Sequence, residues 1–211
     1  MAVKREGSAF PVRESPMARY GKEHKQATRR RIIETAGSRL KRDGIDGSGV
    51  ATLMADAGLT NGAFYAHFDS KEDLVASTVA DQLREQRERY SGQSLEEIVR
   101  GYLSIQHRDD TAGGCPSAAL LDEIARSSES VKRAYTDGLL AIIDDAAARL
   151  APDDPQSARV RTFGVFALMV GTLQVSRALA DRRLADDVLE QGIQNALALL
   201  GAEQRISPSS C

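Results

Sequence analysis

The chain has 211 residues, 42% hydrophobic and 27% charged, with a formal net charge of -2. That composition fits one ordinary globular domain, or two small ones sharing a core, and excludes disordered and fibrous chains. The only cysteines, Cys115 and Cys211, exclude a disulfide scaffold and paired-cysteine zinc spacing. The longest nearly apolar stretch, Phe163 to Val175, falls short of the roughly 20 residues that span a bilayer. The opening residues MAVKREGSAF lack the apolar region of a secretory signal. The expected setting is the reduced cytoplasm, with no membrane partner.

Charge is placed unevenly. Residues 1–42 carry 12 Lys and Arg against 4 acids, a surplus of 8, so the other 169 residues carry a deficit of 10. A basic head on an acidic body points to a polyanion partner for the head. A solubilising basic tail accounts for the charge alone equally well.

Residues 1–20 mix Gly, Ser, Pro and Arg without periodicity and read as a mobile basic arm. A helix is expected from Lys22, with Ile32, Ile33, Ala36 and Leu40 on one face and Gly44 as its stop. Ser48 is placed to cap a second helix carrying Val50, Leu53, Met54 and Ala57, which Gly58 ends after about two turns. Thr60 is placed to cap a third, short helix with Ala63, Phe64 and Tyr65. Ser70 caps a fourth, with Glu72 and Asp73 in the first turn, where the helix dipole favours acids. Leu74, Val75, Thr78, Val79 and Leu83 make its stripe. The polar run Arg84–Arg89 that follows reads as solvated surface, with Glu85 and Arg89 at i,i+4. Another stripe runs from Leu95 to Leu103. After a Gly-rich break at residues 111–114, Pro116 opens a short helix to about Arg126. A long helix carries Val131 to Leu150, residues 152–155 form a loop, residues 159–180 are apolar almost all round, and a last stripe runs from Val188 to Leu200. No alternating strand pattern occurs, so the fold class is all-α. Residues 202–211 read as a flexible tail.

The informative stretch is Gly44 to Leu74. Two short helices joined by Ala57-Gly58-Leu59 have helix-turn-helix geometry, in which the second helix enters the DNA major groove. That helix opens with the small polar residues Thr60, Asn61 and Gly62, and Gly62 lets the backbone approach a duplex closely. Tyr65 and His67 can donate hydrogen bonds, and Lys71 begins the next helix where a phosphate contact is possible. Each has a structural alternative. Ser48 and Thr60 serve equally as helix caps, Phe64 and Phe68 as core, and Tyr65 and His67 as partners within the domain. Lys22, Lys25, Arg29 and Arg30 serve either as phosphate contacts or as solvated charge.

The segments AGLT (57–60), FYAHF (64–68) and SKEDL (70–74), together with Val50, Leu53 and Met54, resemble the DNA-binding domain of the TetR/AcrR family of bacterial transcriptional regulators. Leu53-Met54 stands where Ile-Ala is more usual, a change that a tolerant core filler absorbs. The resemblance implies a three-helix helix-turn-helix domain over residues 21–73 and a larger ligand-binding and dimerisation domain over 74–201. It places Thr60, Asn61 and Gly62 at or near the base edges. Tyr65, His67 and Lys71 fall on phosphates, with Ser48 and Thr52 flanking from the preceding helix. It implies a homodimer on a palindromic operator, joined through a four-helix bundle of helices at about 156–181 and 184–200, with Gly164, Gly171 and Gly192 allowing close approach. It also implies an effector pocket, for which Tyr102, Gln106, His107, Leu120, Tyr135, Leu139, Phe163, Phe166, Met169 and Gln174 are the candidate lining residues. Few charges fall on those faces, which favours a neutral or apolar effector.

Double-stranded DNA, a second copy of the chain and a small-molecule effector are thus the expected partners, and the expected activity is repression relieved by the effector. Cys115, beside Pro116 at a helix start, is either a redox or electrophile sensor, as in some TetR-like regulators, or a small buried residue. A helical architectural DNA-binding protein is the other alternative. No cofactor or metal is expected. His24, His67 and His107 lack metal spacing, and no nucleophile–base constellation points to an enzyme.

Overall fold

The computed structural model describes residues 16–201, with side chains from Gly21 onward. Among these residues the fold is all helical: α1 Pro16–Asp43, α2 Val50–Asp56, a 3-10 segment Asn61–Ala66, α3 Lys71–Tyr90, α4 Leu95–Tyr102, α5 Ile105–Asp109, α6 Pro116–Arg126, α7 Glu129–Leu150, α8 Pro155–Ala178 and α9 Arg182–Gly201. The expected arm is thus shortened, because residues 16–20 open α1. Residues 1–15, the tail 202–211 and Cys211 lie outside the described residues.

The head forms as its apolar spacing dictates. Ile32, Ile33, Ala36 and Leu40 of α1 are buried against Leu53 and Met54 of α2 and against Phe64 and Phe68. The two phenylalanine rings stack at 5.7 Å. Met54 is fully buried, so the departure from Ile-Ala is absorbed in the core. Gly44 ends α1 at φ 81, with its N–H bonded to the Leu40 carbonyl at 2.8 Å. Gly58 turns the chain after α2 at φ 67. The Gly58 N–H reaches Ala55 O at 2.9 Å and the Leu59 N–H reaches Met54 O at 2.9 Å. This paired closure is the Schellman arrangement, and it needs a residue that adopts positive φ without strain.

Helix α3 joins head to body. Ser70 caps it by accepting from the Asp73 N–H at 3.2 Å, and Glu72 and Asp73 occupy its first turn. Leu74, Val75, Val79 and Leu83 lie in the head core, which continues through Leu120 and Ile124 of α6 into Val131 and Ile142 of α7. A second core is built from α4, α6, α8 and α9 around Val99, Phe166, Met169, Leu173 and Ile193. Helix α5 was not foreseen. It is one short turn capped by Ser104, whose Oγ accepts the His107 N–H at 3.1 Å.

Two glycines fix helix spacing in the body. A Cβ on Gly138 of α7 would lie 2.8 Å from the Leu83 Cβ of α3, and one on Gly192 of α9 would lie 2.5 Å from Thr172 Cγ2 of α8. Gly164 and Gly171 face open space instead, so only Gly192 of the three expected close-approach glycines acts within the chain. The Gly138→Ala variant must push α3 off α7. It is expected to lower stability by about 1–3 kcal/mol, read as a fall in thermal midpoint, whereas Gly101→Ala, on an exposed face of α4 with nothing within 4 Å, should leave the midpoint unchanged or raise it.

Candidate nucleic-acid interface and internal cavity

Helix α2, the Gly58 turn and the 3-10 segment present one polar edge. Thr52, Thr60, Asn61 and Gly62 are exposed, and a Cβ on Gly62 would touch nothing within 4 Å. Thr60 precedes the 3-10 segment without a side-chain cap bond, so its hydroxyl is free of that duty. Tyr65 is 76% exposed, although its ring meets Phe64 edge-on at 5.2 Å. The edge thus carries small polar groups at its tip, one protruding phenol, and an apolar underside, Phe64 and Phe68, locked into the core.

Other expected contacts are turned inward. Ser48 is buried, and its hydroxyl donates to Gly44 O at 2.8 Å. Gly49 stands at the N-cap position of α2 instead, so Ser48 neither caps that helix nor reaches a phosphate. The Lys71 ammonium donates to Ile45 O at 2.6 Å, which ties α3 to the loop after α1. Arg29 is an internal brace. It donates to Ser77 Oγ at 2.9 Å and His67 O at 3.3 Å, and its guanidinium sits 4.4 Å from the Phe68 ring centroid. Lys25, Arg30 and Arg31 remain exposed along α1, and the Lys25 charge acts on His67. His67 is half-buried, and burial, with the charges of Lys25 and Arg29, holds its pKa below the usual 6.5.

Behind the head lies a cavity of about 270 Å3, walled by α3, α4, α5, the loop before α6 and the end of α1. Of the expected lining residues it takes Tyr102, Gln106 and His107. Phe166 and Met169 line a separate apolar crevice of about 50 Å3 between α4, α7 and α8. Tyr135 is engaged with Ser117, its hydroxyl donating at 3.0 Å. Phe163 and Leu139 pack on the second core, Leu120 belongs to the first, and Gln174 is exposed on α8. The open space is therefore polar rather than apolar. Its other wall is α3, through Gln82, Glu85, Gln86, Arg89 and Tyr90, and so includes Glu85, Gln86 and Arg89 of the run 84–89 that reads as solvated surface. Gln86 is in fact buried.

A histidine clamp organises this cavity. His107 Nδ1 lies 2.7 Å from Tyr102 O, and its Nε2 accepts the Cys115 N–H at 3.0 Å. Nδ1 must therefore carry the proton and Nε2 must stay bare. Burial, reinforced by the charges of Arg177, Arg89 and Lys41, keeps the imidazole pKa below 6.5 against the opposing pull of the Tyr102 carbonyl. Arg177 fastens the same corner by donating to the carbonyls of His107 at 2.8 Å and Arg108 at 3.1 Å. Cys115 is buried in the cavity wall at the start of α6. Lys41 of α1 is buried as well, and its ammonium donates to Gly114 O at 2.8 Å. Burial lowers its pKa, and the nearby Cys115 opposes that shift. Tyr102 is held well above the ordinary phenol value, mainly by burial, so it remains a hydroxyl donor.

The clamp has a pH consequence. A folded imidazole that binds its proton more weakly than the unfolded one contributes stability that is fully present above 6.5 and lost as pH falls through the folded pKa. The thermal midpoint should drop between about pH 6.5 and pH 5, and His107→Gln should flatten that part of the curve. An unchanged slope in the variant would remove the clamp from the account.

Residues 32–78, from α1 into α3, match the family model described as bacterial regulatory proteins, tetR family. Over 69 residues the chain is 39% identical to the HTH-type transcriptional regulator TtgR of Pseudomonas putida, covering 33% of this chain and 32% of that protein. The aligned region thus spans about a third of that relative. The whole fold is similar to a TetR-family transcriptional regulator from Cytophaga hutchinsonii, with TM-score 0.67 at 18% identity, covering 85% of this chain and 96% of that one. It is also similar to the transcriptional regulator FadR from Bacillus subtilis in complex with stearoyl-CoA, with TM-score 0.56 at 18% identity, covering 81% and 96%. At those identities the likeness is one of fold.

Proposed function

We propose, starting from the chain's membership of the TetR/AcrR family of transcriptional regulators, that it is a repressor that binds a palindromic operator as a homodimer and is released by a small molecule. The observation that carries the DNA half is the exposed edge Thr60-Asn61-Gly62 with Tyr65, held by a buried aromatic core, in a head whose first helix exposes Lys25, Arg30 and Arg31. Asn61 reads base edges, Tyr65 and neutral His67 bind phosphates, and Lys25, Arg30 and Arg31 supply the counter-charge. Lys71 and Arg29 serve by holding the edge in place. The head, residues 21–73, reads DNA, and residues 74–201 pair and respond. A regulator of this kind works where the chromosome is, in the cytoplasm.

The dimer half rests on α8 and α9. Val160 is 81% exposed, and Val175, Leu184 and Leu199 also lie open, while Gly164 and Ala167 leave a flat strip between them on α8. An apolar face of this kind on two long helices is what a four-helix bundle buries between subunits. The responsive half is supported by the cavity between head and body, and by the bound stearoyl-CoA in a neighbour of the same fold.

Selection of bound duplexes from random DNA should return an inverted repeat. Asn61→Ala should relax the preference at one position of each half-site, with a loss of about 1–3 kcal/mol. Arg30→Ala or Arg31→Ala should weaken all duplexes alike and reduce the salt slope by about one. Purely non-specific binding would favour an architectural role instead. Val160→Asp, at an exposed site, should yield monomers in sedimentation equilibrium and weaken operator binding about tenfold or more. A persistent dimer would move the subunit interface elsewhere.

A second reading concerns Cys115, which lines the cavity beside the His107 clamp and near Lys41. Modification there would disturb the start of α6. Unchanged operator release by electrophiles in Cys115→Ser removes the sensor role.

A further inference from the structure

Two successive backbone N–H groups of the loop after α1 converge on one carboxylate of the body. Glu123 Oε2, on α6, accepts the Ile45 N–H at 2.6 Å and the Asp46 N–H at 3.1 Å. Gly44 opens the concavity at φ 81, and a Cβ there would lie 2.7 Å from Glu123 Oε1. Adjacent N–H groups beside a left-handed glycine form a nest for an anion, and here the anion is a side chain. Arg126, three positions on, is paired with Asp122, so it leaves this carboxylate to the loop. The loop is bonded just as firmly to the head. The Ser48 hydroxyl donates to Gly44 O at 2.8 Å, and the Lys71 ammonium donates to Ile45 O at 2.6 Å. The next residue, Gly49, is the N-cap of α2. Glu123 therefore holds the root of the helix that precedes the exposed edge.

The other end of α6 is fastened to α8. Ala118 O accepts from the Arg177 guanidinium at 3.3 Å and from the Gln174 amide at 3.5 Å. Ala118 is also packed with Val170 and Leu173 of α8 in the second core. Ala118 and Glu123 stand about 8 Å apart along one helix. A chain of fixed contacts thus runs from α8 through α6 to the loop and on to α2. The covalent joint between head and body, α3, fixes the head along one axis, and the grip of Glu123 lies off that axis. A crevice of about 270 Å3, lined by Asp46, Lys71, Glu123, Arg126 and Val131 among others, lies beside the grip. On this side head and body meet through directional bonds at the edge of an open space.

We infer that Glu123 is a positioning residue for operator binding: by holding the 44–46 loop to α6 it fixes where each head stands relative to α8, and so sets the separation of half-sites that the dimer accepts. This rests on the regulator reading above, with α8 and α9 as the contact between subunits. Half-site spacing is a geometric property of a dimer, because one added base pair moves the second site by about 3.4 Å and turns it by about 35°. A head gripped off the α3 axis follows neither change. A head joined through α3 and released by Glu123 follows both.

Titration of the full chain with three kinds of duplex tests this: the inverted repeat it selects, the same repeat with its spacer lengthened or shortened by one base pair, and a scrambled duplex. The parent should bind the altered spacers about tenfold more weakly. Glu123→Ala should reduce that discrimination to less than about twofold while leaving the scrambled duplex bound as before, since that binding is to phosphates. Glu123→Gln keeps an acceptor oxygen and should fall between the two. Amide exchange at Ile45 and Asp46 should quicken about tenfold or more in Glu123→Ala, which reports the lost nest directly. Unchanged exchange there, undiminished spacer discrimination in Glu123→Ala, or a parent indifferent to spacer length would each overturn the inference. Equal weakening on all the duplexes would also overturn it, because that is the signature of lost fold rather than lost placement. A parent that selects no inverted repeat overturns the regulator reading and this inference with it, whereas a selected repeat with any of the other adverse results overturns this inference alone.

Discussion

The buried ammonium of Lys41 is the contact on which the relation of head to body turns. A cation removed from water needs a partner, and this one finds the Gly114 carbonyl, 73 positions away in sequence. A second tie lies alongside it. The Glu123 carboxylate of α6 accepts the backbone N–H groups of Ile45 at 2.6 Å and Asp46 at 3.1 Å, while Lys71 holds Ile45 O from the other side. The loop between α1 and α2 is therefore gripped by both α3 and α6. Any movement of α6 is felt at the base of the reading edge without passing through flexible chain.

Each of these ties joins a charged or polar side chain to backbone, and each replaces hydration with one or two directional bonds. Such contacts are directional and are either made or broken, and close-packed apolar cores likewise resist gradual deformation. The cores fix the helices, and these polar contacts tie the end of α1 and the α1–α2 loop to the body.

Much of the fold was legible because local rules were obeyed. Gly44, Gly58, Ser70 and Pro116 stop or start helices where their backbone preferences dictate, and the i,i+3,i+4 stripes of α1 and α3 are the buried ones. The exposure of Asn61, Gly62 and Tyr65 was legible too, because the apolar members of their segment, Phe64 and Phe68, are committed to the core. What escaped were the long-range pairings. Nothing near Arg29 in the sequence announces that its guanidinium lies on Phe68 and Ser77, and nothing near Ser48 shows that it will be covered. The run from Gln82 to Tyr90 carries the composition of a wet helix face, yet α7 packs along one side of α3 and α4 and α5 close over the other. Glutamines lining a cavity and glutamines facing solvent have the same one-letter signature. The short α5 turn and the 3-10 form of Asn61–Ala66 are too brief to leave a period.

The first core is shared. Leu120 and Ile124 of α6, with Val131 and Ile142 of α7, fill the same cluster as Ile32, Leu53 and Phe64 of the head. The DNA-reading portion is accordingly no transplantable cassette. Excised near residue 73 it would carry a raw apolar wound, and grafted onto a foreign body it would need that body to supply matching aliphatic side chains. Recombining whole heads between relatives would demand simultaneous repair of the seam beneath them.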